Sequence, residues 1–291
     1  MDGIQEQVPA GSSGAVSQPR LGATSAEPLT GFERPFDVSV DSHGTLFVLE
    51  GLRQRRISSF DRDGQPVIAF SLPSSDGGLA ATYFAVGPGG DLYVADRGAR
   101  AVLVFDPKGV LNEQLGPPLD DEWLPLGVGF DSTGNLYVTD VTPGRHRIFK
   151  LAPNGELLWT RGSEGTGPGE FSFPTDIAVD GKGRIYVADA NNRRVQVLDE
   201  AGNFLQFLPD GGATIEPRAL AVDGSHLYVA SVSQQCVLVY DVLAGPRFDS
   251  STAPCSEMET PLTYLGGIAV APGGRIYVAD RGTNQVLVEE P

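Results

Sequence analysis

Five carboxylates recur at one place in a repeated hexapeptide. Glu50 closes TLFVLE, Asp96 closes DLYVAD, Asp140 closes NLYVTD, and Asp189 and Asp280 each close a copy of RIYVAD, while a sixth copy, HLYVAS, ends in Ser231. Converging acids of this kind are the oxygen donors that Ca²⁺ gathers six to eight at a time. Acids at strand ends are also what loop amides and arginine forks bind. Arg53, Arg55, Arg97, Arg147, Arg193, Arg194 and Arg281 all follow the acids closely, so the reading adopted is a structural acid ring with no metal and no cofactor. The chain has two cysteines, Cys236 and Cys255. They form either a disulfide, closing a loop of about 20 residues with a contribution on the order of 3 kcal/mol, or two unrelated buried thiols. A bond implies a periplasmic or extracellular setting; free thiols imply the cytoplasm.

The elements that carry the acids come from the spacing. The six hexapeptide ends lie 46, 44, 49, 42 and 49 residues apart, the length of a four-stranded propeller blade. In the clearest copy, four runs rich in Val, Ile, Leu, Phe and Tyr (176–180, 184–189, 194–200 and 203–209, strands a to d) alternate with turn clusters, which is the pattern of short antiparallel strands. Gly44, Gly90, Gly134, Gly183 and Gly274 fall in the a–b turns, where a tight hairpin needs positive φ. The expectation is an all-β, six-bladed β-propeller of four-stranded antiparallel blades, with blades near 32–73, 79–117, 122–162, 171–210, 214–253 and 262–291. The last copy stops before a strand d. Residues 15–31 are expected to supply it, with VSQPRL (16–21) placed where ELLWTR (156–161) stands and Phe32 and Pro35 on Phe171 and Pro174. Closure of that kind removes an open sheet edge; residues 1–14 read as a flexible tail.

With Pro174 to Asp180, Gly183 to Asp189 and Asn192 to Val195, the repeat resembles the NHL family over about residues 16–290. The resemblance implies a binding or scaffold propeller, with each strand-end acid answered by a nearby basic residue. Blade five departs from it through Ser231 and Cys236, and blade two through Ala101. Some relatives are amidating lyases that hold zinc through three histidines at the channel. Here His43 and His226 lie in a–b turns and His146 on the opposite face, so no three-histidine site is expected. A hydrolase or lyase of the lactonase or strictosidine synthase-like type, acting at the central channel, is the alternative function.

In a propeller the b–c and d–a loops share a face. Residues that vary at the start of strand a, Asp37, Tyr83, Leu126, Asp176, Arg218 and Gly266, point to the opening there. The candidate ligand contacts are Asp37, Tyr83, Asp176 and Arg218, together with Trp123 and Tyr264 on the preceding loops. With 21 Lys and Arg against 37 Asp and Glu, the net charge is −16, which opposes nucleic-acid binding. No apolar run is long enough to span a membrane and no leader pattern opens the chain. The function expected is a non-catalytic adaptor, sensor or bacterial envelope component that takes a protein, peptide or carbohydrate ligand through the b–c and d–a face, with no catalytic residues and a protein partner first.

Overall fold

The computed structural model describes residues 25–51, 55–73, 82–119, 122–208, 215–243 and 262–290. Six antiparallel sheets succeed one another along the chain, each running from an innermost strand a outward. The innermost strands are Asp37–Val40, Tyr83–Val86, Pro125–Phe130, Pro174–Val179, Pro217–Val222 and Leu265–Val270. The hexapeptides form the second strands, Leu46–Glu50, Leu92–Asp96, Leu136–Asp140, Ile185–Asp189, His226–Ser231 and Ile276–Asp280. Among the described residues the fold departs from sheet and turn only at a short 3₁₀ segment, Ala190–Asn192.

Each second strand is sandwiched between neighbouring blades, which is why LYVAD-type runs lose the polar alternation of a half-exposed strand. In blades one, three, four and six all five residues of that strand are buried. The core is therefore divided among the interfaces between blades. Tyr186 and Val195 of blade four pack with Leu227 and Leu238 of blade five, and Val38 and Val48 of blade one with Tyr277 and Val288 of blade six.

The a–b and c–d hairpins share a device that extends beyond their glycines. Asp41, Asp61, Asp106, Asp131, Asp180 and Asp199 each begin an Asp-x-x-Gly turn. In the turn at Asp180 one carboxylate oxygen accepts the amides of Lys182 and Arg184, while Gly183 takes φ 77°. The other oxygen accepts the Tyr186 hydroxyl at 3.0 Å; Tyr137 to Asp131 and Tyr228 to Asp223 repeat it. In blades three, four and five the tyrosine of the hexapeptide is thus explained by an acid at the far end of strand a, whereas blades two and six carry Gly87 and Ala271 at that place.

An N-terminal strand completes blade six, as the sequence implies, but it is Ser25–Leu29, antiparallel to Gln285–Glu289. VSQPRL (16–21) lies outside the described residues. The anchor at Phe32 holds, since its ring is buried against Phe60 with centroids 5.5 Å apart. Only Thr30 and Gly31 separate Leu29 from Phe32, whereas a long loop separates Arg161 from Phe171. Matching the two loops end to end displaces the expected strand toward the N-terminus. Blade five shows three strands among the described residues.

Candidate functional site

The repeated acids are consumed internally. Asp189 is fully buried and accepts the Ser172 amide at 2.6 Å, Asn192 Nδ2 at 2.9 Å, Arg194 Nε at 2.7 Å and Gln196 Nε2 at 3.0 Å. Asp140 takes the amides of Leu124 and Thr142 and Arg147 Nε, and Glu50 takes the Glu33 amide, Arg56 Nε and Ser58 Oγ. Asp96 and Asp280 accept amides instead: Gly98 and Ala99 for the first, Thr263, Tyr264 and Gly282 for the second. Ser231, with a neutral hydroxyl in place of the acid, receives the Glu216 amide at 3.4 Å and shares a 3.5 Å contact with Ser233.

The arginines sort differently from the sequence expectation. The clamp comes from the first residue of strand c, directly across the ladder from the acid: Glu50 opposite Arg56, Asp140 opposite Arg147, Asp189 opposite Arg194. Where that position holds Ala101, Cys236 or Gln285, no arginine stands across the ladder from the hexapeptide end. Of the arginines expected as clamps, Arg147 and Arg194 serve, Arg56 adds itself, and Arg53 lies outside the described residues. Arg193 pairs with Glu216 at 3.5 Å. Arg55 and Arg281 lie over the Phe36 ring instead, and Arg97 is within electrostatic reach of Arg55 and Arg218.

The innermost strands line a central channel of about 250 Å³. Asp37 and Asp176, from blades at opposite sides of the ring, are buried in its wall and tie neighbouring inner strands together. Asp37 Oδ2 accepts the Phe84 amide and Asp176 Oδ2 accepts the Leu220 amide, at 2.8 and 2.7 Å. Glycines make the space: a Cβ on Gly267 would come 1.7 Å from Asp37 Oδ1, and one on Gly127 would meet Asp176 Cα at 2.7 Å. Burial, and then the charge of Asp176, push Asp37 well above the usual carboxylate range against the Phe84 and Val38 amides. Burial pushes Asp176 up to about 7 against the amides of Leu220 and Ile177.

At the mouth, Tyr83 is buried and its hydroxyl donates to the Arg218 carbonyl at 3.3 Å. Leu126 joins Tyr83 in a cluster with Val141 and Leu265, and Gly266 packs beneath the Phe36 carbonyl. Above them Arg55 and Arg281 lie over the Phe36 ring at 3.4 and 4.1 Å, and Arg281 and Arg218 over Tyr264 at 4.7 and 5.6 Å. Tyr264 is exposed, and its amide is held by Asp280. The structure therefore brings Tyr83, Arg218 and Tyr264 together with three arginines that sequence reasoning assigns elsewhere. Strand alternation could have separated them: Arg97 and Arg281 follow their acids by one residue, whereas a clamp must stand across the ladder.

Trp123 is not at the mouth. It is 1% exposed, packs edge-on against Phe149 and donates its indole N–H to the Arg100 carbonyl. His43 sits beside Asp41 in an a–b turn and His226 beside Asp223 at the start of a second strand, while His146 accepts the Phe173 amide on the other face. Among the described residues no group of three or more His, Cys, Asp or Glu is placed to hold a metal. Cys236 is buried and disulfide-bonded; Cys255 lies outside the described residues.

The model of the NHL repeat matches residues 171–198 and 262–288, in blades four and six. This chain carries NHL repeats within a six-bladed propeller. NHL repeat-containing protein 3 of Mus musculus is 32% identical to the propeller over 175 residues, which cover 56% of this chain and 48% of that protein. The chain spans about half the length of such relatives. Peptidyl-glycine alpha-amidating monooxygenase of Mus musculus is 31% identical over 206 residues, 64% of this chain and 21% of that one. A gluconolactonase of Xanthomonas campestris superposes with a TM-score of 0.66 at 15% identity, covering 94% of this chain and 99% of its own, a likeness of fold alone. No helix among the described residues is long and apolar enough to cross a membrane.

Proposed function

We propose that this propeller is a binding scaffold that holds a partner, a protein first, at the channel mouth on the face of the b–c and d–a loops. The observation that carries this reading is the contrast between two residue sets on one face. The acids that repeat are spent on internal hydrogen bonds, whereas Tyr83, Arg218, Tyr264 and Arg281, which break the repeat, meet around the opening. Aromatic and arginine side chains of this kind dominate binding hot spots. The net charge of −16 disfavours a nucleic-acid partner. The test is affinity capture with the wild-type chain and with Tyr264→Ala and Arg218→Ala. Loss of a partner with thermal stability unchanged supports the site; retention of every partner by both variants refutes it.

A hydrolase acting in the channel is the second reading, favoured by the Asp37 and Asp176 carboxyls in the channel wall and by the amidating monooxygenase among the relatives. Both carboxyls spend oxygens on backbone amides, which weighs against it. Elemental analysis of protein purified without chelator separates the two, since the metal-assisted version requires a stoichiometric divalent ion.

A further inference from the structure

Arg56, Arg100, Arg147, Arg184, Arg193, Arg194 and Arg275 all have carboxylate partners. In a chain with 37 acids to 21 cations, partners are plentiful. Yet Arg55, Arg97, Arg218 and Arg281, drawn from blades one, two, five and six, form no ion pair among the described residues. Each has a buried Nε with no hydrogen-bond partner, and Arg55 Nη1 is orphaned as well. Two hydroxyls on the same rim, Thr82 Oγ1 and Thr283 Oγ1, are also buried and unpartnered.

We propose that these four arginines form a receptor for a compact oxyanion with two or more negative charges, either a phosphate group or a cluster of carboxylates, seated at the channel mouth. The inference rests on the binding reading above and names the chemistry of what is bound. Stacking on Phe36 and Tyr264 occupies the faces of three guanidinium groups. It leaves the in-plane Nε–H of each without a partner, and guanidinium N–H groups match oxyanions in a fork geometry. The four also repel one another around a closed circuit. After burial, the charges of Arg281 and Arg97 push Arg55 down to about 10; Arg218 lowers Arg97 and Arg281 in the same way. Asp96 is the acid that opposes this at Arg55 and Arg97, and its Oδ1 already accepts two amides. An occupant carrying two or three negative charges relieves the repulsion and fills the orphaned donors together. A compact anion fits better than a long polyanion, which the net charge of the chain would repel.

The experiment is isothermal titration and thermal unfolding of the full chain with inorganic phosphate and, separately, citrate, with ionic strength held constant by NaCl. Saturable binding and a rising Tm are expected for at least one anion. Arg97→Gln and Arg281→Gln should each weaken binding by roughly tenfold, the worth of one charge-assisted hydrogen bond, while Arg161→Gln on an outer strand leaves it unchanged. Without anion, the two rim variants should melt at the same temperature as wild type or higher, because repulsion is removed; a structural role predicts the reverse. Stronger binding of phosphate identifies a phosphate ester as the source, and stronger binding of citrate a polycarboxylate. Three results overturn the proposal: no effect of either anion beyond matched NaCl, undiminished binding by a variant carrying both substitutions, or a lowered Tm in both rim variants without anion. If anion binding fails while capture of a partner still depends on Tyr264, the oxyanion inference falls and the scaffold reading stands.

Discussion

Replacing Asp176 by asparagine should flatten the pH dependence of stability. In the folded chain burial pushes the Asp176 carboxyl up to about 7, while an unfolded aspartate titrates near 3.9. Between those values the native state holds a proton that the unfolded state has released. Stability therefore falls as pH rises, with the full contribution present below about pH 4 and lost by about pH 7. The interval is about three pH units at about 1.4 kcal/mol each, so this group alone takes away ~4 kcal/mol. Asp37 is raised in the same direction and steepens the fall. The lowered carboxyls, Asp131, Asp199, Asp223 and Asp280, act in the opposite sense and below pH 4. The substituted amide keeps one acceptor for the backbone N–H groups of Ile177 and Leu220 and loses the other, a cost of about 1 kcal/mol that does not change with pH. Urea melts at half-unit steps from pH 4.5 to 8 measure this, with m held in common. A wild-type stability that is flat or rising across that range, or an equal slope in Asp176→Asn, refutes the reasoning.

Arg194→Ala strands the buried Asp189 carboxylate and should cost about 3–5 kcal/mol in a denaturant melt, far more than Arg193→Ala at its exposed pair with Glu216. Gly267→Ala forces its Cβ onto Asp37 Oδ1 and should lower Tm sharply, whereas Gly224→Ala, with open space around it, should leave Tm within a degree or two. Peptide mapping without reductant should yield a linked Cys236–Cys255 peptide; two free thiols would remove the case for an oxidising compartment.

Blade number and strand order were legible because each is written several times over. Six hexapeptides specify six second strands, and the turn glycines specify which end is which. The candidate site was half legible. Tyr83, Arg218 and Tyr264 stand out as departures from the repeat, but Arg55, Arg97 and Arg281 look in sequence like partners of the acids they follow. Proximity in sequence misleads there. The ladder places Arg194 opposite Asp189 and Gln285 opposite Asp280, so the residue next to an acid is not the one it meets. Trp123 misleads for another reason: an aromatic side chain on a loop is chosen as often to fill a space, here against Phe149, as to receive a ligand.

The pairing of Ser25–Leu29 with Gln285–Glu289 also sets the order of assembly. Five blades can stack through neighbours close in the chain, but this sheet, and the Gly267 amide that donates to the Phe36 carbonyl, must wait for two remote segments to meet. The entropy of closing so long a loop is on the order of 5 kcal/mol, and contacts of this range slow folding. Blade six is thus expected to complete last and to open first. A permuted chain in which Gln285–Glu289 leads directly by a short turn into Ser25–Leu29 converts that slow step into a hairpin, so it should refold faster while keeping the same ring.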